Sequence, residues 1–317
     1  MSRADREGKG SGETLLEPLV VSSFPNAKAL PLWAGVEHGL FERRGLALSI
    51  DLTPGSDAQR AKLIDGRIDI AQAAIDNALQ LIVEGHDAIV VMGGESGMNE
   101  FIAQADISCF ADFRGRALVV DAPNTGYALQ ARKLLAAAGL EAGVDYQIRS
   151  VGNAGLRLRA MLEDPANAGA VMNPPFSSEA LLSGMKSLGR MTDLLGPYQA
   201  GGAYVLRSWA NANSRRLENY IRAYVESLRW IVDPANRDAA IDILVRELAL
   251  ARPVAEAAFG QLADPAFGFT PDARLSRAGV DNMLATRAET GERDPRLDDR
   301  ASWIDESWYR RALADTT

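Results

Sequence analysis

From Glu17 onward, short apolar runs alternate with stretches of helical periodicity, and that alternation confines the chain to an α/β fold with parallel strands and covering helices. Residues 18–23 (PLVVSS) read as a buried strand ending in two hydroxyl side chains, and residues 29–41 as a helix closed near Gly39 to Gly45. Residues 46–52 (LALSIDL) alternate at period two, the mark of a half-buried strand. Helices are expected over 57–64 and 77–83, and strands over 68–74 and 88–92. A second series starts near Asp106, with a strand at 116–120 and a helix at 127–138 ended by Gly139, and its strand–helix units repeat through Asn173. After one more strand at 203–206 the pattern turns helical, over 214–231, 238–250, 254–262 and 303–314, as a C-terminal cover.

At 317 residues the chain has the length of about two domains, and 47% hydrophobic residues give each a core. Its 34 Lys+Arg against 42 Asp+Glu leave a net charge of -8, which opposes broad contact with nucleic acid or an anionic membrane. No membrane insertion is expected, because no apolar run approaches the roughly 18 residues of a span. Cys109 stands alone, so no internal disulfide, Cys-based zinc site or CxxC pair is expected. With His38 and His86 as the two histidines, a three-histidine zinc site is excluded and a Ser-His-Asp site would need one of them. Both read as surface residues and Cys109 as an inert thiol. No metal and no cofactor are expected. Residues 1–16 read as a flexible tail that mixes charges with glycines and lacks the apolar core of a secretory leader. As written the chain reads as cytoplasmic, and as periplasmic if a leader was removed.

The segment PLWAGVEHGLFERRGLALSIDLTPGSDAQRAKLIDGRIDIAQAA, residues 31–74, resembles the opening of type II solute-binding proteins in the nitrate, sulfonate, taurine and thiamine-pyrimidine branch. The resemblance rests on Gly39-Leu40-Phe41 followed by Gly45-Leu46, on Gly55 before a helix, and on Gly66-Arg67-Ile68-Asp69-Ile70-Ala71 opening a strand. Asp112-Phe113-Arg114-Gly115, Asn124-Thr125-Gly126 and Asn173-Pro174-Pro175 are similar to that family's second-lobe turns. The resemblance covers roughly residues 17–209. It implies two α/β lobes with a ligand cleft between them: lobe I from 17–103 plus 204–317, lobe II from 104–203. It further implies a monomer that binds a small polar organic molecule and presents it to an ABC transporter permease. Relatives of this fold include a desulfinase, decarboxylases and a thiamine-pyrimidine synthase, so a lyase or hydrolase acting on a small acid is the alternative. The desulfinase pattern has a nucleophilic Cys just after the first strand, where this chain has Ser22-Ser23-Phe24-Pro25. The pyrimidine-synthase pattern of clustered cysteines and a substrate-side histidine is also lacking.

In α/β lobes, ligands gather at the carboxyl ends of strands and the amino ends of helices. That rule selects Ser22, Ser23 and Asn26 after the first strand, Asp76 and Asn77 after the strand ending at Ala74, then Asn124, Thr125 and Gly126 before a helix, and Asn173 after a second-lobe strand. Each polar member is also an ordinary helix-capping type. Asn124-Thr125-Gly126 is the best candidate for an anion, because Gly permits close approach to free helix N–H groups. Asp76 instead favours a ligand with an N–H or a positive charge, and with Glu95 is the acid–base candidate of an enzyme reading. Phe24, Trp33, Tyr127 and Phe176 are the aromatics expected to stack on a flat ligand. The stretch 93–97 (GGESG) reads as a lobe-crossing loop, as do residues 101–105.

Overall fold

The computed structural model describes residues 15–95 and 97–314. Residues 1–14 of the expected tail, and Ser96 of the expected crossing loop, lie outside the described residues. The first run comprises β1 (Glu17–Ser23), α1 (Leu30–Glu37), β2 (Leu46–Leu52), α2 (Ser56–Ile64), β3 (Ile70–Ala74), α3 (Asp76–Val83) and β4 (Ala88–Glu95). Then come β5 (Glu100–Ala103), β6 (Ala117–Val120), α4 (Gly126–Ala137), β7 (Gln147–Ser150), α5 (Ala154–Glu163), β8 (Asn167–Met172), α6 (Phe176–Leu182), β9 (Lys186–Arg190) and α7 (Met191–Leu195). The chain ends in β10 (Gly201–Leu206) and in α8 (Arg207–Ala212), α9 (Ser214–Val232), α10 (Arg237–Leu248), α11 (Arg252–Leu262), α12 (Arg277–Glu289) and α13 (Ser307–Ala314).

Two five-stranded sheets result, in the orders β2-β1-β3-β10-β4 and β7-β6-β8-β5-β9. Both are mixed rather than wholly parallel. β10 runs antiparallel to β3 and β4, and β5 runs antiparallel to β8 and β9. The short Glu100–Ala103 run is therefore a strand of the second sheet, not a crossing. The chain changes sheets between Glu95 and Glu100 and returns between Arg190 and Gly201, some residues ahead of the expected boundaries at 103 and 204. Gly93 to Glu95 continue β4 instead of forming a loop. Four residues such as EFIA are too short to show a period, which is why β5 is invisible in the sequence.

Helices cover both faces of each sheet, and a separate apolar cluster fills each side. The longest, α9, buries Leu217, Tyr220, Ile221, Tyr224, Leu228 and Ile231, a spacing of three and four that makes one stripe against α1 and α13. Burying each of the leucines and isoleucines contributes about 1.5–3 kcal/mol. The same stripe carries two tyrosines whose hydroxyls reach beneath the first sheet, and this joins the helical cover to the site.

Candidate functional site

A cavity of about 80 Å³ lies where the two lobes meet. A water needs roughly 10–15 Å³ by this measure, so the space suits a small molecule and not a chain. It is lined from the carboxyl ends of the parallel strands β1, β3, β4, β6 and β8 and from the amino ends of α2, α3, α4 and α5. Antiparallel β10 brings its own amino end, Gly201, to the same edge. A Cβ there would fall 2.7 Å from Glu95 Oε1 and 3.0 Å from its Cγ, so any larger residue would push that side chain aside.

The first-lobe wall is built around Asp76, 2% exposed at the start of α3. Its carboxylate accepts the Tyr198 hydroxyl at 2.9 and 3.0 Å. Burial pushes the Asp76 pKa up to about 6, against the opposing pull of Arg287 and of the Tyr198 hydrogen bond. Tyr198 in turn is driven well above its ordinary value by burial and by Asp76. Beside Asp76, Asn77 accepts from Arg60 at 3.1 Å. Gln72, on β3, is clasped from below: its amide donates to the Tyr224 hydroxyl at 3.1 Å and its carbonyl accepts from Tyr220 at 2.9 Å. Lys28 enters from the turn after β1, where Asn26 Oδ1 caps its backbone N–H at 2.9 Å. The ammonium donates to Glu95 at 2.8 Å, to Asn99 at 3.0 Å and to the Tyr127 hydroxyl of the other lobe at 3.1 Å. Burial opposes the Lys28 charge, but Glu95 and Tyr127 outweigh it and the net pKa is raised.

The second-lobe wall carries Asp121, just past β6, and Arg157, one turn into α5. Arg157 is buried and donates to the carbonyls of Gly152 at 3.1 Å and Val171 at 3.2 Å, while its Nε has no partner among the described residues. Burial lowers its pKa, with Asp121 and Tyr127 pulling the other way. Asp121 reaches across the cleft: its Oδ2 accepts from the Ser56 backbone N–H at 3.2 Å and from the Ser56 hydroxyl. Asn173 Oδ1 and Glu95 Oε2, both in residues lining the cavity, are buried acceptors without a donor among the described residues.

Of the residues selected from sequence, Ser23, Asn26, Asp76 and Asn77 line this cavity, with Thr125, Gly126, Tyr127 and Asn173 facing them from the second lobe. Phe24 joins them. Four others do not. Ser22 lies within the first lobe, donating to Asp51 at 3.0 Å and accepting from Gln59 at 3.2 Å, because alternation along β1 turns it away from Ser23. Trp33 packs into the core of that lobe, and Asn124 stands just outside the cavity lining. Phe176 lines a separate groove with Pro25, Leu156 and Leu250. His38, expected at the exposed surface, is half-buried with its ring 4.2 Å from that of Trp230. Neither histidine lines the cavity, nor does exposed Cys109.

Sequence reasoning missed Lys28, Gln72, Asp121 and Arg157. For Arg157 a signal existed: it falls on the face of α5 that buries Ala154, Leu158 and Met161, where a cation needs a reason to be. A lone Lys28 or Asp121 beside a strand end carries no such mark.

Residues 16–245 match the NMT1-like family. The chain belongs to that family. No curated protein matches the chain. Among solved structures it is similar to the periplasmic nitrate-binding protein NrtA from Synechocystis PCC 6803, at TM-score 0.78 and 15% identity over 94% of this chain and 89% of that one. It is also similar to the alkanesulfonate-binding protein SsuA from Xanthomonas axonopodis pv. citri bound to MOPS, at TM-score 0.74 and 17% identity over 92% and 99%. The desulfurization enzyme DSZB shares the fold as well, at TM-score 0.66 and 16% identity over 95% and 100%. At these identities the likeness establishes the two-lobed periplasmic-binding-protein architecture. Among the described residues no helix of this family member is long and apolar enough to cross a membrane.

Proposed function

We propose that the chain is the substrate-binding component of an ABC-type uptake system and takes a small polar organic molecule with N–H donors into the interlobe cavity. Such a protein works outside the membrane, as a monomer, and hands its ligand to a permease. The observation that carries the ligand class is the pair of buried acceptors, Glu95 Oε2 and Asn173 Oδ1, that lack donors among the described residues while their own residues line the cavity. Leaving such atoms unpaired costs about 1–3 kcal/mol each, which a ligand N–H recovers. Tyr127, Phe24, Tyr224 and Phe269 supply flat apolar walls. The fold that this chain shares with nitrate- and alkanesulfonate-binding proteins supports the transport setting. Native mass spectrometry of the purified protein tests the reading: a co-purifying molecule with amine, amide or ring N–H groups is expected, and calorimetry with that molecule should return one site per chain.

An enzyme on the same scaffold is favoured by one observation, Asp76 with a pKa of about 6 at the cavity wall. Mass analysis of the ligand after prolonged incubation separates the two readings. Recovery of intact ligand supports binding. Loss of carbon dioxide, sulfite or water in proportion to protein supports catalysis.

A further inference from the structure

α2 starts without a side-chain cap of its own: its N-cap is Gly55, which has nothing to offer the free N–H groups of the first turn. Asp121 supplies the missing acceptor from the opposite lobe, bonded to both the backbone N–H and the hydroxyl of Ser56. Its second oxygen lies over Gly55, where a Cβ would come within 3.2 Å of it. Ser56, Asp121 and Arg157 all line the cavity. A helix amino end beside a buried arginine with an unpaired Nε is a favourable seat for a small oxyanion. Here a carboxylate of the protein already occupies it.

We propose that Asp121 is a specificity-determining residue: it fills the oxyanion seat at the start of α2, ties the two lobes there, and bars nitrate- and sulfonate-like ligands from the cavity. The remaining ionisable groups of the lining act in the same direction. Lys28 is paired with Glu95, and Asp76 adds another acid, so the lining holds three acids against two bases. An incoming oxyanion would have to displace Asp121 and lie among Asp76 and Glu95, with Arg157, among the described residues, as the one cation of the lining that has no carboxylate bonded to it. This inference rests on the proposed binding reading and deepens it.

Calorimetric titration of methanesulfonate and of nitrate tests it in wild type and in Asp121→Ala, Asp121→Ser and Asp121→Asn. The Ala and Ser variants vacate the seat and should bind methanesulfonate at least tenfold more tightly than wild type. The Asn variant keeps an amide oxygen on Ser56 and should resemble wild type. Wild-type binding of methanesulfonate as tight as that of the Ala variant overturns the proposal, and so does a loss of melting temperature in the Ala and Ser variants with no gain in oxyanion affinity. The Ser variant keeps the test alive if the Ala variant does not fold. The binding reading is judged separately by the co-purifying molecule. If wild type holds an N–H donor ligand while no variant gains methanesulfonate, the Asp121 assignment alone fails.

Discussion

Asp76 and Gly126 meet across the cleft so closely that a Cβ on Gly126 would lie 2.0 Å from Asp76 Oδ2 and 2.6 Å from the Tyr198 hydroxyl. The contact sets one lobe's carboxylate against the first residue of the other lobe's helix α4. Gly126→Ala therefore cannot be accommodated without parting the lobes or breaking the Asp76–Tyr198 bond. The expected result is a ligand affinity reduced tenfold or more, and overpacking that costs about 1–3 kcal/mol in thermal unfolding. Small-angle scattering should show a larger radius of gyration for the variant. Unchanged scattering and affinity would mean that the two lobes do not meet at this residue in solution.

The Asp76 carboxyl has a defined pH signature. Its folded pKa, about 6, lies above the ordinary value near 4, so between those limits the folded protein holds a proton that the unfolded chain has released. Stability attributable to Asp76 is then greatest at about pH 4, falls as pH rises to about 6, and is level above. The full change is on the order of 3 kcal/mol. Urea unfolding of wild type and Asp76→Asn from pH 4 to 7.5 should differ by this slope, and parallel profiles would place the proton elsewhere. Asp76→Ala should weaken an N–H or cationic ligand by about 1.5–3 kcal/mol.

Lys28 and Glu95 form a buried pair at 2.8 Å. Lys28→Met leaves the Glu95 carboxylate unpaired beside Gly201 and Tyr224, and should destabilise by about 3–5 kcal/mol. Adding Glu95→Gln to it should recover much of that loss. Chemical denaturation of the two single variants and the double variant closes the cycle, and additive effects would show that the pair is not coupled.

His38, His86 and Cys109 lie away from the cavity lining. The His38→Ala, His86→Ala, Cys109→Ser triple variant should keep the wild-type affinity for the co-purified ligand. Its melting point should drop modestly, because His38 gives up its contact with Trp230, worth about 0.5–1.5 kcal/mol. Loss of ligand binding by this variant would place one of the three in the site.

Much of the first lobe is legible because β1 ends in the short polar pair Ser22-Ser23 and β3 leads within two residues into the helix that starts at Asp76. β2 spans Leu46–Leu52 as the period-two alternation requires, and Asp76 and Asn77 stand at the cavity because β3 ends two residues before them. The second lobe is harder to read. β5 and β9 are short, antiparallel and interrupted by a register shift, so no period survives in them. Asp121 and Lys28 are legible only in three dimensions, since each finds its partners in a segment distant in sequence: Asp121 with Ser56, Lys28 with Glu95, Asn99 and Tyr127. Trp33 misleads for the converse reason, because aromatic residues on an apolar helix are as useful to a core as to a ligand.

The insertion of β10 between β3 and β4 bears on how the molecule is made. Every strand of the second sheet is encoded between Glu100 and Arg190, so that lobe can fold as soon as it emerges from the ribosome. β3 and β4 are synthesised earlier, yet β3 keeps one edge unpaired and β4 has no strand partner until residues 201–206 arrive. At about 5–20 residues per second the delay is on the order of ten seconds, during which these apolar edges stand open to wrong partners. Gln72 waits longer still for Tyr220 and Tyr224. The lobe begun first is thus completed last, and the newly made chain needs protection most during the interval when half of it already looks native.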